Sequence, residues 1–338
     1  MIRFDTAGAF AAALHDLPGP DLAARAAALA RQARLTKPAG ALGRLEDIAV
    51  FLAGWQGDPM PKLTAGRMAI FAGNHGVACH GVSAFPPEVT AQMVANFQAG
   101  GAAINQLADH AGLDLTVVAL DLDSPTADFT CEPAMSEAEC LAALSRGAAV
   151  VEPGLDLLAV GEMGIGNSTA AAALCARSFG GAAGDWVGPG TGLDALGTMR
   201  KSVIVEHALA LHHKAPRTAL ETLRRLGGRE IAAIAGAVVA ARHLRIPVVL
   251  DGFIASAALA PLAAEQPGIL DHCLAGHCSA EPGHRLLLAR FGLDPLLQLG
   301  MRLGEGSGAA VAVSVIRAAL AAHNGMATFA EARVSAGL

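Results

Sequence analysis

Four glycine-rich loops hold the residues of this sequence best equipped for chemistry. The first is Gly73-Asn74-His75-Gly76, which continues through Gly81-Val82-Ser83-Ala84-Phe85 to Glu88-Val89-Thr90. The second is Gly161-Glu162-Met163-Gly164-Ile165-Gly166-Asn167-Ser168-Thr169. The third is Gly188-Pro189-Gly190-Thr191-Gly192, with Arg200 and Lys201 a few turns on, and the fourth is Leu303-Gly304-Glu305-Gly306-Ser307-Gly308. Each follows a strand-like run. Glycines let backbone N–H groups converge without Cβ obstruction, and a helix start adds partial positive charge, so the second and third loops read as anion cradles. Either loop alone also reads as a tight turn. Both in one chain, with Lys201 as a compact cation, point to a phosphate. Neither fits the Walker pattern, and no G-x-G-x-x-G follows the first strand, so dinucleotide binding is poorly supported.

Glu162 and Glu305 are the informative carboxylates, because a solvated face is not expected at the end of an apolar run. One reading makes each a cap for a neighbouring helix. The other makes it a partly desolvated acid with a raised pKa, suited to general-base work near neutral pH. Asp251, closing Ile246-Pro247-Val248-Val249-Leu250, is equally a ligand group or a cap for the next helix. His272-Cys273, His277-Cys278, Glu281 and His284 invite a metal reading, but their spacing fits no zinc pattern and Pro282-Gly283 interrupts any helix aligning them. Satisfied loop histidines, or a contact across a subunit boundary, are the expectation there. No metal or cofactor is expected.

These loops need a frame that points them at one place. Arg67–Gly73, Leu113–Asp123, Leu155–Gly161, Asp185–Gly188 and Ile246–Asp251 are short apolar runs bounded by Gly, Asp or Pro. Helical segments such as Glu88–Ala108, Thr169–Ser178 and Glu230–Leu244 separate them. That alternation predicts an α/β fold: a parallel, Rossmann-like sheet with helices on both faces, binding ligands at the carboxyl ends of its strands. Before the first strand, Asp21–Arg34 and a segment with Leu45, Ile48, Leu52 and Trp55 on one face read as helices. A final apolar helix over Ala309–His323 is expected to pack on them. The expected division is a small helical domain from residues 1–62 with about 309–338, and a large α/β domain over about 63–308.

The chain has 338 residues, is 53% hydrophobic and 16% charged, and carries a net charge of −6. Its mean hydropathy is +0.44. These values exclude disorder and argue against an extended nucleic-acid footprint. Its longest apolar runs, Ile231–Ala241 and Gly252–Ala264, fall short of the roughly 18 residues that span a membrane. Ala7–Leu14, with Asp5 just before it, reads as a first helix rather than a signal peptide. Six scattered cysteines fit reduced thiols in a cytoplasmic protein.

Together with Leu35-Thr36-Lys37-Pro38 and Leu42-Gly43-Arg44-Leu45-Glu46, the four loops resemble, in order, the motifs of nicotinate-nucleotide:dimethylbenzimidazole phosphoribosyltransferases. The resemblance runs from about residue 35 to the C-terminus. It implies transfer of phosphoribose from nicotinate mononucleotide to 5,6-dimethylbenzimidazole or a related base, giving α-ribazole 5′-phosphate and nicotinate with inversion at C1′, by a homodimer without a metal. It further implies Glu305 as the general base and Glu162 beside the ribose. Backbone groups of Gly164, Gly166 and Asn167 with Lys201 are the choice for the 5′-phosphate, and Ser83, Phe85 and Glu88 for the base slot. Met163, Gly190, Thr191, Gly192 and Asp251 complete the expected substrate contacts. The alternatives are a non-catalytic nucleotide- or base-binding protein of the same fold, and a nicotinamide-cofactor oxidoreductase suggested by the sheet class alone.

Overall fold

The computed structural model describes residues 2–335. Met1 and residues 336–338, which belong to the expected small helical domain, lie outside them. Five strands form one sheet: β1 (Gly66–Ala72), β2 (Leu113–Ala119), β3 (Leu157–Met163), β4 (Val248–Leu250) and β5 (Cys273–Ala275). Their order is β2-β1-β3-β4-β5, and every pairing is parallel. β1, β3 and β4 are buried almost throughout because helices cover both faces, which is why they read as continuous apolar runs rather than alternating ones.

The principal helices are α1 (Arg44–Gln56), α2 (Glu88–Gln98), α3 (Ala103–Ala111), α4 (Glu137–Ala148), α5 (Asn167–Phe179), α6 (Ala195–Leu211), α7 (Arg229–His243) and α8 (Ser307–Gly325). On one face α7 lies against β1 and β3, and α4 lies against α7. α7 is buried from Arg229 through Arg242, as a helix apolar on all sides must be. Its approach to α4 is backbone to backbone. A Cβ on Gly147 would collide with the Ala233 carbonyl, and one on Gly236 would collide with that of Leu144.

On the other face α8 packs on β3, β4, α1 and α3, and shares one apolar cluster with Met68, Ile70, Ala159 and Val249. The chain ends meet beside it. Leu35 and Thr328 form an antiparallel bridge, and Arg31 donates to the carbonyls of His323, Asn324 and Met326.

Two strand expectations need correction. Asp185–Gly188 contains no strand: Ala183–Trp186 forms a helical turn, with Ala182 N–H donating to Asp185 Oδ2 at 2.8 Å and Trp186 Nε1 to the Gly180 carbonyl at 2.9 Å. Four residues closed by their own side chains have no need of a ladder partner. The fifth strand is instead Cys273–Ala275, three residues long. It follows a buried His272 whose Nε2 lies 3.1 Å from the Val238 carbonyl, so a polar residue in a core position hides it. Glu88–Ala108 is also two helices, α2 and α3, broken at Gly100-Gly101.

Candidate active site

A parallel sheet opens a crevice where its strand order reverses, at the carboxyl ends of the strands. Here β1 connects to β2 on one side while β3 lies on the other, so the crevice falls between the ends of β1 and β3. A cavity of about 500 Å³ lies there, within the range of small-molecule sites. Its walls come from the segment after β1 (Phe85), the end of β3 and the loop beyond it (Glu162 to Ile165, Asn167 and Ser168), and the segments after β4 (Gly252 to Ile254) and β5 (His277, Ser279, Glu281). Gly190, Thr191 and Arg302 to Gly304 complete it.

Glu162 stands at the end of β3 opposite Phe71 of β1, 6% exposed. Its carboxylate accepts from the Asn167 side chain, and its Oε1 would lie 2.7 Å from a Cβ on Gly304, so the second and fourth loops touch. Burial, then the charges of Asp251 and Glu230, push its pKa up to about 8. Glu305 follows directly, also 6% exposed, and burial followed by the Asp251 charge pushes it up to about 7. Gly304, Glu305 and Gly306 have φ of 80°, 61° and 79°. Two glycines adopt this left-handed run freely. Glu305 does so at a cost of about 1–2 kcal/mol, and such strain persists where the surroundings fix it, often at functional sites. Glu305 makes no side-chain hydrogen bond among the described residues, so its carboxylate is uncommitted.

The fourth loop sits close to the sheet because Gly161 has no side chain. A Cβ there would collide with the Gly306 backbone nitrogen. Asp251, at the end of β4, accepts from Gly306 N and Ala309 N at 3.2 and 2.9 Å. It therefore caps α8 behind Glu305 and does not line the cavity. The sequence offered a ligand group or a cap for the next helix; the next helix, Phe253–Ala257, starts at Gly252 without a side-chain cap, and Asp251 caps α8 instead.

The third loop meets the second around Lys201. Its Nζ is buried and donates to Ser168 Oγ and to the Gly188 carbonyl, both at 3.0 Å. A Cβ on Gly190 would approach Ser168 Oγ at 2.8 Å and Lys201 Nζ at 3.1 Å, so this slot is shaped for backbone. Burial lowers the Lys201 pKa to about 8, while the Glu281 charge works the other way. Gly166, with φ 97°, is the N-cap of α5, just outside the wall formed by Gly164, Asn167 and Ser168. Ser83 joins the first loop to the third, its Oγ 3.0 Å from Thr191 Oγ1, and Phe85 forms an apolar wall.

Besides Asp251 and Gly166, Glu88 and Gly192 also stand outside the cavity wall. Glu88 is exposed in the first turn of α2, where the helix N-terminus favours its charge, and is not part of the cavity wall. Gly192 has φ 116° with open space around it and serves the turn, not the wall.

Sequence reasoning assigned no site role to His277, Ser279, Glu281, Phe253 or Arg302. The first three follow β5, and a strand not recognised leaves its loop without a place. Glu281 accepts from Gly190 N at 3.0 Å, and burial raises its pKa. His277 Nε2 lies 3.6 Å from Asp251 Oδ1, and neither of its ring nitrogens has a hydrogen-bond partner. His284 is satisfied by Ser279 and Ser256, and burial lowers it to about 3. A second buried pair supports the floor: His75 Nε2 lies 2.6 Å from Glu230 Oε1, with Gly73, Gly164 and Gly228 crowded around it.

Sheet and cavity together define a doubly wound α/β protein that carries two uncommon buried acids beside a glycine-lined cationic slot. The chain belongs to a phosphoribosyltransferase family, whose model, described as "Phosphoribosyltransferase", matches residues 17–334. It is a pentosyl-transferring enzyme. The chain is 72% identical over 338 residues, the full length of both, to the nicotinate-nucleotide–dimethylbenzimidazole phosphoribosyltransferase of Novosphingobium aromaticivorans. It is 61% identical over 320 residues, 95% of each chain, to the protein of that name from Ruegeria pomeroyi. The crystal structure of CobT from Thermus thermophilus superposes with a TM-score of 0.87 at 42% identity, covering 93% of this chain and 100% of that one.

Proposed function

We propose that this enzyme transfers phosphoribose from nicotinate mononucleotide to 5,6-dimethylbenzimidazole or a related base, releasing nicotinate and α-ribazole 5′-phosphate. The observation that carries this reading is an uncommitted, buried Glu305 next in the chain to Gly304 of the mainly apolar cavity wall, with Lys201 standing behind Ser168 of the same wall. The names of the relatives support the choice of substrates.

The nucleotide's C1′–N bond joins ribose to a cationic pyridinium, so nicotinate departs without needing a proton. The difficult partner is the nucleophile. When one benzimidazole nitrogen attacks C1′, the ring becomes cationic unless its other N–H loses a proton. Glu305 takes that proton, and a pKa of about 7 makes it both substantially ionised and basic enough at neutral pH. Attack from the face opposite the leaving ring inverts C1′ from β to α.

Glu162 stands beside the ribose and the departing ring. In the free enzyme its raised pKa keeps it largely protonated near pH 7, and a bound pyridinium draws it towards the charged form that favours a cation-like C1′. Ser168, backbone groups of Gly164 and Asn167, and Lys201 receive the 5′-phosphate.

Two further readings go with this one. Leu196, Met199 and Val203 are exposed at helical spacing on α6, and this apolar stripe supports a homodimer. Six unpaired cysteines support a cytoplasmic setting.

Incubation with nicotinate mononucleotide and dimethylbenzimidazole, followed by chromatography, tests the reaction. Equal amounts of nicotinate and the α-nucleotide are expected. No nicotinate at millimolar substrates would leave a binding protein instead.

A further inference from the structure

Cys79 and His80 end the 3₁₀ turn Gly76–His80, outside the substrate cavity. Asp128 and Cys131 belong to a second turn, held by Cys131 N–H donating to the Asp128 carbonyl at 2.9 Å and Thr130 N–H to Asp128 Oδ1 at 3.0 Å. The two turns are fastened together. Gly76 N–H donates to Thr126 Oγ1 at 3.3 Å, and a Cβ on Gly76 would collide with the Thr126 carbonyl.

One atom is the focus of the group. Asp128 Oδ2 lies 2.6 Å from His80 Nε2, 3.7 Å from Cys131 Sγ and 3.9 Å from Cys79 Sγ. The candidate ligand atoms of Cys79, His80 and Asp128 all lie within 4.8 Å of one another. Among the described residues no other group of three such side chains does so.

The geometry points to a binding site for a thiophilic divalent cation of the zinc class, with Cys79, His80 and Asp128 as ligands and Cys131, whose sulfur reaches Asp128 but lies outside that mutual 4.8 Å group, turning in as the fourth. Ligand atoms of a tetrahedral zinc stand roughly 3.3–3.8 Å apart, given bonds of about 2.0–2.3 Å, so the Cys131–Asp128 distance already suits it and Cys79 need close in only slightly. The imidazole–carboxylate hydrogen bond must open by about an ångström or less. Two sulfurs and a nitrogen select zinc over magnesium or calcium, which require oxygen ligands. The cysteines are exposed and the other two groups partly so, which leaves the ion a way in.

Binding exchanges protons for the metal. Each thiol releases one proton to solvent, and His80 keeps its remaining proton on Nδ1. Because each thiol must give up its proton to bind the ion, affinity rises with pH. The turn also connects His75 to Ser83, and a Cβ on Gly166 would stand 3.5 Å from Ala78 Cβ. An ion here therefore stiffens the first loop without touching substrate.

The test uses the full-length chain, stripped by chelator and kept reduced with a phosphine. Zinc is titrated against a chromophoric chelator, and cobalt serves as a spectroscopic probe. One zinc per chain and a thiolate-to-cobalt charge-transfer band are expected. The C79S/C131S double variant should remain folded by circular dichroism, lose the band and bind zinc at least about 100-fold more weakly. Failure of the wild-type chain to take up one equivalent, or equal binding by wild type and double variant, would overturn the proposal.

Discussion

At the scale of single residues, two buried acids have been made worse at being charged. For Glu162 the linkage has a definite sign. Its folded pKa lies above its unfolded one, so folding is unpenalised below about pH 4.5, and stability is lost as pH rises towards about 8. Glu162→Gln removes that penalty. The variant should match wild type at pH 4.5 and exceed it by on the order of 3 kcal/mol at pH 8 in denaturant unfolding without substrate. A difference independent of pH would show that burial is not what sets this group. Lys201 is a buried cation among Ser168, Gly188 and Gly190, and Lys201→Ala should raise the KM for the nucleotide about tenfold or more while leaving kcat within a few-fold. A lost kcat at unchanged KM would remove it from the phosphate slot. Glu162, Met163, Gly164, Asn167, Gly190 and Thr191, expected together from the glycine-rich loops and the family resemblance, all line the cavity. Glu281 and His277 were not expected there, since their meaning depends on a strand that three residues barely announce.

At the scale of elements, glycine governs how closely helices approach one another and the sheet. The α4–α7 contact places Gly147 and Gly236 each against the other helix's backbone, and no side-chain rearrangement relieves an added methyl there. Gly147→Ala is expected to cost at least about 2 kcal/mol by urea unfolding. A change under about 0.5 kcal/mol, the range of an ordinary surface substitution, would mean that the helices part easily. The alternation of apolar runs and helical segments revealed the α/β class, and continuous strands revealed burial on both faces. It misassigned Asp185–Gly188, where Asp185 closes a turn locally, and it merged α2 with α3 across Gly100-Gly101. Composition alone does not say whether a short run will find a ladder partner.

At the scale of the whole molecule, the reversal of strand order between β1 and β3 brings four loops far apart in sequence to one crevice. Order along the chain carried the family resemblance, but only the fold shows Asp251 turning away to cap α8 and Glu88 facing outward. The apolar stripe of α6 bears on assembly. Light scattering should give twice the chain mass, and Met199→Glu with Val203→Glu should halve it without unfolding; a monomeric wild type at micromolar concentration would remove the dimer. The account as a whole turns on proton removal by Glu305, which Glu305→Gln interrogates most directly because it preserves size and hydrogen bonding. Steady-state turnover of nicotinate mononucleotide and dimethylbenzimidazole should fall at least ~10²-fold in kcat, with the wild type's acidic limb near pH 7 abolished. Near-normal turnover with that limb intact would contradict it.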